Sequence, residues 1–550
     1  MTEVSAMNAV GLRVARITLE AASPLAVGSG QLISVRRRNR ARDTPNEEVT
    51  IHAAALVRDA NNLPTIPGAS WQGVMRRLFA EEWSERESIE LFGIEAGVET
   101  GRSGRLSCGF GIAHDQRDRA VSGRISGVEN GMRDPVIELL SHDAPIWRDH
   151  VALNARHAPD GARKFAVAAV PIGTRFSIEM SAWGGEDVDA WLKKVLLLFA
   201  HPRFRLGRAT HRGYGRVRVV RASQCAPVMH NAEKLRELLR EPPSTLLPQN
   251  LDMGLPLDRL ATVARLSLTF PEFFRIGGLT DHCSSLTEGT VGARNLQTGA
   301  GTKNERMSER EAADNVLLLL REPQITYANG VGTVDLGNKP GQYRFPVPGS
   351  SIKGVLAHRM QFYANKLSER TIDVEEWLKL SAAERDDRLK TLKQPMESIV
   401  AFLGTGKGPR GADGVPDKGA SARWYVDDTI ADDAEWVVAV DHASLDRFTG
   451  GVRDGALFAE EVLLGAKVEV TVTLLPSRTK ATDGKTVGDW PERTAKAFLL
   501  ALRDLCKGRL AVGGRSNGVG AGKVSWGGKH ADEWQALADA CKVPRQGASL

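Results

Sequence analysis

The stretch R-L-A-V-G-G-R-S-N-G-V-G-A-G-K-V-S-W, Arg509 to Trp526, decides how this chain is read. A helix-like run, Trp490 to Lys507, enters it, and an alternating segment, Lys523 to Trp526, leaves it. Glycine tolerates positive φ and lets backbone N–H groups converge, so Gly513, Gly514, Gly518, Gly520 and Gly522 can form an anion-binding nest. Arg509, Arg515 and Lys523 place positive charge beside it. A relative occurs earlier: F-R-L-G-R-A-T-H-R-G-Y-G-R-V-R-V, Phe204 to Val219, again follows a helix-like run and leads into an alternating basic strand. One such loop alone reads as a glycine turn between a helix and an edge strand. Its recurrence with the same flanks points to an RNA-phosphate role. The spacing is neither G-x-x-x-x-G-K-[ST] nor a G-x-G-x-x-G that follows a strand, which argues against a nucleotide cofactor.

Other motifs recur in the same order. P-G-A-S-W-Q-G, Pro67 to Gly73, corresponds to P-G-S-S-I-K-G, Pro348 to Gly354, and V-P-I-G-T-R-F-S-I-E, Val170 to Glu179, to V-L-L-G-A-K-V-E-V-T, Val462 to Thr471. This is the signature of a tandem duplication. Each half reads as β-α-β-β-α-β, the ferredoxin-like arrangement, whose open sheet also serves as an RNA-recognition platform. The expected fold is therefore α+β. Its expected divisions are a first module at 1–221, a linker at 222–260 and a second module at 261–550.

At 550 residues the chain exceeds one ordinary core, and length suggests about three or four domains, or two large ones. A hydrophobic content of 42% and a charged content of 25% are those of a folded soluble protein. Net charge is only +6, but the motif cations are mostly arginine, which suits phosphate and base stacking. Nucleic acid leads as the partner class. The cysteines, Cys108, Cys225, Cys283, Cys506 and Cys541, are scattered, so neither a disulfide framework nor a zinc cluster is indicated. No signal-peptide pattern opens the chain and no apolar run reaches transmembrane length, which gives a cytoplasmic expectation with no membrane partner.

Along the first half, Leu12 to Ala21 alternates as a strand and Gly28-Ser29-Gly30 reads as the turn that ends it. The basic run Val35 to Arg42 reads as an RNA-contacting arm. Ser70 reads as the N-cap of a helix from Trp71 to Trp83, whose N-terminus could equally hold a phosphate. Gly104 to Gly111 reads as a strand, and Asp115 to Lys164 as a polar excursion outside the core. In the second half, the stretch Leu279 to Phe345 is too long for an ordinary connection, so it is either functional or disordered.

These motifs resemble the RAMP (repeat-associated mysterious protein) superfamily, and specifically the backbone subunits of type III CRISPR effector complexes, CRISPR-associated family seven. The most specific segment is H-A-S-L-D-R-F-T-G-G-V-R-D-G-A-L-F-A-E-E, His442 to Glu461, supported by V-P-G-S-S-I-K-G, the glycine loop and Y-V-D-D, Tyr425 to Asp428. The first half keeps I-P-G-A-S, R-G-Y-G-R-V and V-P-I-G-T-R-F but lacks the D-R-F-T-G-G form. The resemblance implies two fused modules, each with a β-hairpin thumb, at about Val151 to Arg163 and His442 to Glu461. The implied partners are CRISPR RNA, target RNA and other type III subunits. RNA contacts are expected from Arg208, Arg212 and Arg216 in the first glycine loop, from Lys353, from Arg447 at the second thumb, and from Arg515 and Lys523.

Cleaving members of that family use an aspartate in the loop before the P-G-S-S helix, with a divalent ion. RNA carries its own nucleophile, the 2′-hydroxyl, so a protein need only fix in-line geometry and stabilise charge. Carried onto this sequence, the catalytic residue and metal ligand is Asp314, in A-A-D-N-V-L-L-L-L-R, with Asp281 in reserve and Mg²⁺ or another divalent cation as cofactor. In the first half the register puts His52 or Ala53 at that position, with Asp43 upstream, which leaves cutting to the second module. Two alternatives stay open. One is a structural subunit that only holds guide RNA; the other is a precursor-processing endoribonuclease using His211 or His442 as general acid or base.

Overall fold

The computed structural model describes residues 11–38, 48–94, 101–125, 134–153, 159–184, 186–225, 245–246, 261–277, 316–317, 319–336, 344–368, 374–393, 399, 402–404, 422–431, 436–475, 492–513 and 523–524. The chain divides into two compact units. The first comprises Met1–Thr210, Tyr214–Leu257 and Glu322–Gly337, and the second His211–Gly213, Asp258–Arg321 and Asn338–Leu550. The divisions expected at 221 and 261 are thus crossed twice, by three residues of the first glycine loop and by a hairpin from the long loop.

The first unit is built on an antiparallel sheet in which Gly11–Ala21 lies between Val217–Cys225 and Arg175–Gly184. The alternation along Gly11–Ala21 works as a half-buried strand should. Ala15, Ile17 and Leu19 are buried on the side that also holds Phe176, Ile178 and Met180. Helices Gly68–Glu82 and Glu186–Leu198 contribute Trp71, Met75, Phe79, Leu192 and Val195 to the same core. A second, four-stranded sheet runs in the order Gly28–Arg38, Glu48–Leu56, Pro159–Ala169, Ile146–Leu153. Gly28-Ser29-Gly30 therefore begins a strand, and the basic run Val35 to Arg38 is paired with Glu48 to Ile51. The Asp115–Lys164 stretch is more than a polar excursion: helix Pro135–Ser141 and strand Ile146–Leu153 bury Val136, Leu139, Leu140, Ile146 and Trp147.

One end of the opposite face of the first sheet is covered. Strands Gln324–Ala328 and Val331–Asp335 form a hairpin within this unit. Arg148 grips Glu322 through two hydrogen bonds, at 2.5 and 2.7 Å, with both side chains almost wholly buried. Ile325 N–H donates to Ile172 O, and the passage is so close that a Cβ on Gly173 would lie 1.6 Å from Ile325 O. The Arg175 guanidinium lies 4.3 Å from the Tyr327 ring centroid, and the Tyr327 hydroxyl donates to Asp115 O. As a result Thr18, Glu20 and Arg175, which point to this face, are buried. At this end the open recognition platform expected of a ferredoxin-like sheet is closed, whereas Arg16 and Glu179 further along the same face stay exposed.

In the second unit, strand Val452–Leu474 is the spine of an eight-stranded sheet, and its part Leu463–Leu474 pairs with Thr262–Phe274. Helices Gly349–Leu367 and Glu492–Cys506 cover one face, with the rings of Phe402, Trp424 and Phe498 in mutual contact in its core, Phe402 stacked on Trp424 and Phe498 edge-on to it. On the opposite face Arg265, Lys467 and Glu469 are exposed.

The two units share a register. Val14–Glu20 reads V-A-R-I-T-L-E and Val263–Thr269 reads V-A-R-L-S-L-T, with Arg16 across from Glu179 and Arg265 across from Thr471. The P-G motifs also play one part twice. Each helix begins at its glycine after a proline N-cap that makes no side-chain capping bond. A Cβ on Gly68 would lie 2.0 Å from Cys108 O, and one on Gly349 2.1 Å from Val426 O. Glycine is there because the helix start touches strand backbone. The expected Ser70 cap is corrected: Ser70 lies inside the first turn, its N–H donating to Pro67 O.

Candidate nucleic-acid interface

The first glycine loop is not a nest of open amides along its described flanks. Leu206 N–H donates to Gly215 O, Arg208 N–H to Ala26 O, Gly215 N–H to Pro24 O and Arg216 N–H to Ser23 Oγ. The glycines permit close backbone crossing: a Cβ on Gly207 would lie 2.3 Å from Ala26 O. Gly513 repeats this against Arg275 O, at 1.8 Å. What the loop offers to solvent is cationic side chains, since Arg208, Arg212 and Arg216 are all exposed. Gly514 to Gly522, with Arg515, lies outside the described residues. Lys523 is described only as backbone, paired with Thr269.

Lys353 sits differently. Its Nζ donates to His211 O at 3.0 Å and to Trp424 O at 3.2 Å, and lies 4.9 Å from the Trp424 ring centroid. It ties the Gly349 helix to its surroundings. The start of that helix is also taken, because Asp428 Oδ1 accepts from Gly349 N–H at 2.8 Å.

The D-R-F-T-G-G segment forms the tip of a hairpin between Trp436–Leu445 and Val452–Leu474. Asp446 builds the turn. Its Oδ1 accepts from Phe448 N–H and Thr449 N–H, both at 2.9 Å, and these bonds hold its carboxyl below the usual range. Gly450, at φ +67°, closes it. The turn presents apolar surface to solvent: Phe448 is 87% exposed, and Leu445 and Val452 are each 62% exposed. Arg447 is exposed beside them, its guanidinium 5.3 Å from the Phe448 ring centroid. The first unit has a matching hairpin, Ile146–Leu153 with Pro159–Ala169, whose tip lies outside the described residues.

A charged cluster lies at the base of the second hairpin. His442 Nε2 and Glu460 Oε1 are 2.8 Å apart, and Arg275 Nε is 3.5 Å from Glu460 Oε2. Burial pulls the Arg275 guanidinium down, and Glu460 and Glu461 oppose that shift. Glu461 accepts from Leu319 N–H and Arg321 Nη2, at 3.0 and 3.1 Å. Beside it the short strand Val316–Leu317 runs parallel to Ala459–Glu460. In the first unit Ala53 and Ala54 run parallel to Ala166 and Val167 in the same way. Counting along the shared register sets Ala168 and Ala169 against Glu460 and Glu461, Asp149 against His442, Ala26 against Arg275, and position 52 against position 314.

Asp314 and Asp281 themselves lie outside the described residues. His52 is exposed, with Nδ1 2.8 Å from Ser34 Oγ. Among the described residues no three or more His, Cys, Asp or Glu side chains are gathered as metal ligands would be. The two glutamates at the hairpin base are already engaged by arginines, so the described residues do not build a divalent site. Sequence reasoning misses this cluster. Its signal is two adjacent glutamates, E-E, in a strand whose counterpart reads A-A.

Residues 18–218 match the family model of the RAMP superfamily. One similar solved structure is a chain from a type III-B Cmr-beta complex bound to cognate target RNA, determined by cryo-EM. It is 13% identical over 39% of this chain and 61% of that one, with a TM-score of 0.25, so the alignment spans about three fifths of that neighbour. No curated protein sequence matches the chain.

Proposed function

We propose that this chain is a guide-RNA-binding backbone subunit of a type III CRISPR ribonucleoprotein, made of two tandem RAMP modules, and that the second module cuts bound target RNA. The observation that supports the reading is the shared register: the central strand pair of the second unit repeats that of the unit in which residues 18–218 match the RAMP model. The exposed arginines of the first glycine loop suit phosphate, and the Phe448–Arg447 tip suits stacking against bases. No helix among the described residues is long and apolar enough to cross a membrane.

Guide binding is tested by titrating a labelled guide RNA across a salt series. Backbone contacts make log affinity fall with log salt by about 0.7 per neutralised phosphate on a single strand, so replacing Arg208, Arg212 and Arg216 with alanine should flatten the slope by about two. An unchanged slope would remove the first loop from the interface. Cutting is tested on guide-loaded protein with Mg²⁺, comparing wild type with Asp314→Ala and Asp281→Ala. Loss of one specific cut with guide binding intact supports an endoribonuclease with Asp314 as its acid. Unchanged cutting by both variants removes these aspartates, and no cutting by wild type leaves a subunit that only holds the guide.

A further inference from the structure

The cluster at the base of the second hairpin is not repeated in the first unit. The first unit makes the same strand pairings with Ala168 and Ala169 where the second has Glu460 and Glu461, and with Ala26 where the second has Arg275. Burying charge is costly, and an apolar replacement of similar shape is often neutral or stabilising. A fold that can do without these charges but keeps them on one side points to a functional constraint there.

We infer that His442, oriented by Glu460, is the general acid of RNA cleavage along this hairpin. The inference rests on the reading of the second unit as an RNA-cutting module and adds the group that protonates the leaving oxygen. An ionised glutamate only accepts hydrogen bonds, so the 2.8 Å contact assigns a proton to His442 Nε2. The ring is thereby fixed, and Nδ1 is the nitrogen from which a proton would be transferred. Glu460 is 1% exposed and the His442 side chain 24% exposed, so the partner is buried while the ring reaches solvent. Glu460 is held from its other side by Arg275, and Glu461 is occupied by Arg321 and the Leu319 amide. The tip that would splay a base from the duplex begins three residues further along the same strand, at Leu445.

In the step, the 2′-oxygen of the splayed nucleotide attacks the adjacent phosphorus and its proton passes to solvent. The phosphorus–5′-oxygen bond breaks as His442 Nδ1 gives its proton to that oxygen. The products are a 2′,3′-cyclic phosphate and a 5′-hydroxyl, and the imidazole regains its proton from water. Glu460 is a positioning residue, acting through the ring.

The test uses the full chain, a guide RNA and a complementary labelled target in Mg²⁺, with guide binding measured alongside single-turnover cleavage. His442→Ala should bind guide as wild type does and cut about 10²- to 10⁴-fold more slowly, the usual contribution of a positioned acid. On a target whose scissile 5′-oxygen is replaced by sulfur, which departs without protonation, the same variant should cut close to the wild-type rate. Glu460→Gln should lose less and should move the alkaline limb of the pH–rate profile, where a general acid gives up its proton, to lower pH. His442→Ala cutting the oxygen target at the wild-type rate, or a defect of the same size on the sulfur target, would overturn the inference. Wild type that binds guide but never cuts overturns it together with the cutting half of the proposed function, whereas failure to bind guide overturns that function at its root.

Discussion

The two hairpin bases are built on one register and filled in opposite ways. Under the first hairpin the matched positions are Ala26, Ala168 and Ala169, all buried, with Trp147 Nε1 donating to Asp149 and the neighbouring Arg148 paired with Glu322. Under the second they are Arg275, Glu460 and Glu461, with His442 across the strand. The strand alongside differs too: nine residues, Glu48–Leu56, in the first unit but two, Val316–Leu317, in the second. A long strand is held by its own ladder. Beside that two-residue strand Glu461 accepts from the Leu319 amide and Arg321. The difference teaches that a repeated scaffold tolerates charge where it can also pack alanine, and that such a place is worth reading as a site.

The sharpest way to break this comparison is to exchange the fillings. Glu460→Ala alone strands Arg275 and should cost about 3–5 kcal/mol, the usual penalty for removing one partner of a buried ion pair. Replacing Arg275, Glu460 and Glu461 together with alanine, the first unit's own pattern, should cost much less than that single change. Urea unfolding checks both. A triple variant less stable than Glu460→Ala would mean the charges hold the second unit together, and the argument from alanine would collapse.

The carboxylate anchors beside the two glycine loops offer a second contrast. In the second unit Asp504, wholly buried, accepts from Arg359 and Tyr363 at 2.6 Å and lies 3.4 Å from Arg509. In the first unit the corresponding arginine, Arg203, pairs with Glu81 from the neighbouring helix instead. Asp504→Asn should destabilise the second unit by about 1.5–3 kcal/mol, the range for hydrogen bonds to a charged group. Glu81→Gln, at a less buried carboxylate, should cost less, and the opposite ranking in thermal melts would break the contrast.

Much of this architecture is legible in the amino-acid sequence. The alternation in Leu12–Ala21 and Phe165–Trp183, the P-G helix starts and the repeated order of motifs all follow from local spacing. What escapes depends on contacts distant in sequence. Nothing near Glu322 or Tyr327 shows that they answer Arg148 and Arg175, more than a hundred residues away, so the covered sheet face cannot be read from the chain. Ser70 reads as a cap because serine often caps, but backbone contact at Gly68 sets the helix start earlier. Lys353 reads as a phosphate contact because it follows the helix start, yet carbonyls take up its donors. The turn-building role of Asp446 is written in D-R-F-T-G-G; the exposure of Phe448 is not.

At the hairpin tip, the second unit can be probed without touching its core. Phe448 contacts solvent over most of its surface, so Phe448→Ser should leave the urea midpoint unchanged. Stacking of an aromatic side chain on a base contributes about 1–3 kcal/mol, so the same change should weaken target-RNA binding by that amount if the tip inserts beside a base. The matched test in the first unit is Val151→Ser, on an arm that is also exposed. Equal losses from both would make the two hairpins alike in function as well as in register.

Acid sensitivity gives the smallest contrast and depends on one buried histidine. His114 Nδ1 lies 2.8 Å from Asp118 Oδ1 and Nε2 lies 2.8 Å from Ser177 Oγ, on the covered face of the first sheet. Burial lowers its pKa, the hydrogen bond and charge of Asp118 oppose the shift, and the charges of Arg221 and Arg175 add to it. A histidine depressed in the folded state binds its proton more readily once unfolded. Stability from this group is therefore full above the unfolded value of about 6.5 and falls, by at most about 1.4 kcal/mol per pH unit, as pH drops from there toward the folded value. Asp504 is also depressed. Burial works to raise it, but the hydrogen bonds and charges of Tyr363, Arg359 and Arg509 prevail, so its contribution is lost only below the unfolded aspartate value of about 3.9. Between pH 7.5 and 5.5 the first unit should weaken through His114 while Asp504 leaves the second unchanged. Following the urea midpoint over that range in wild type and His114→Gln separates the cases: the variant starts lower, having lost two hydrogen bonds, but its midpoint should vary less with pH. A variant as pH-sensitive as wild type would place the acid sensitivity elsewhere and remove this difference between the units.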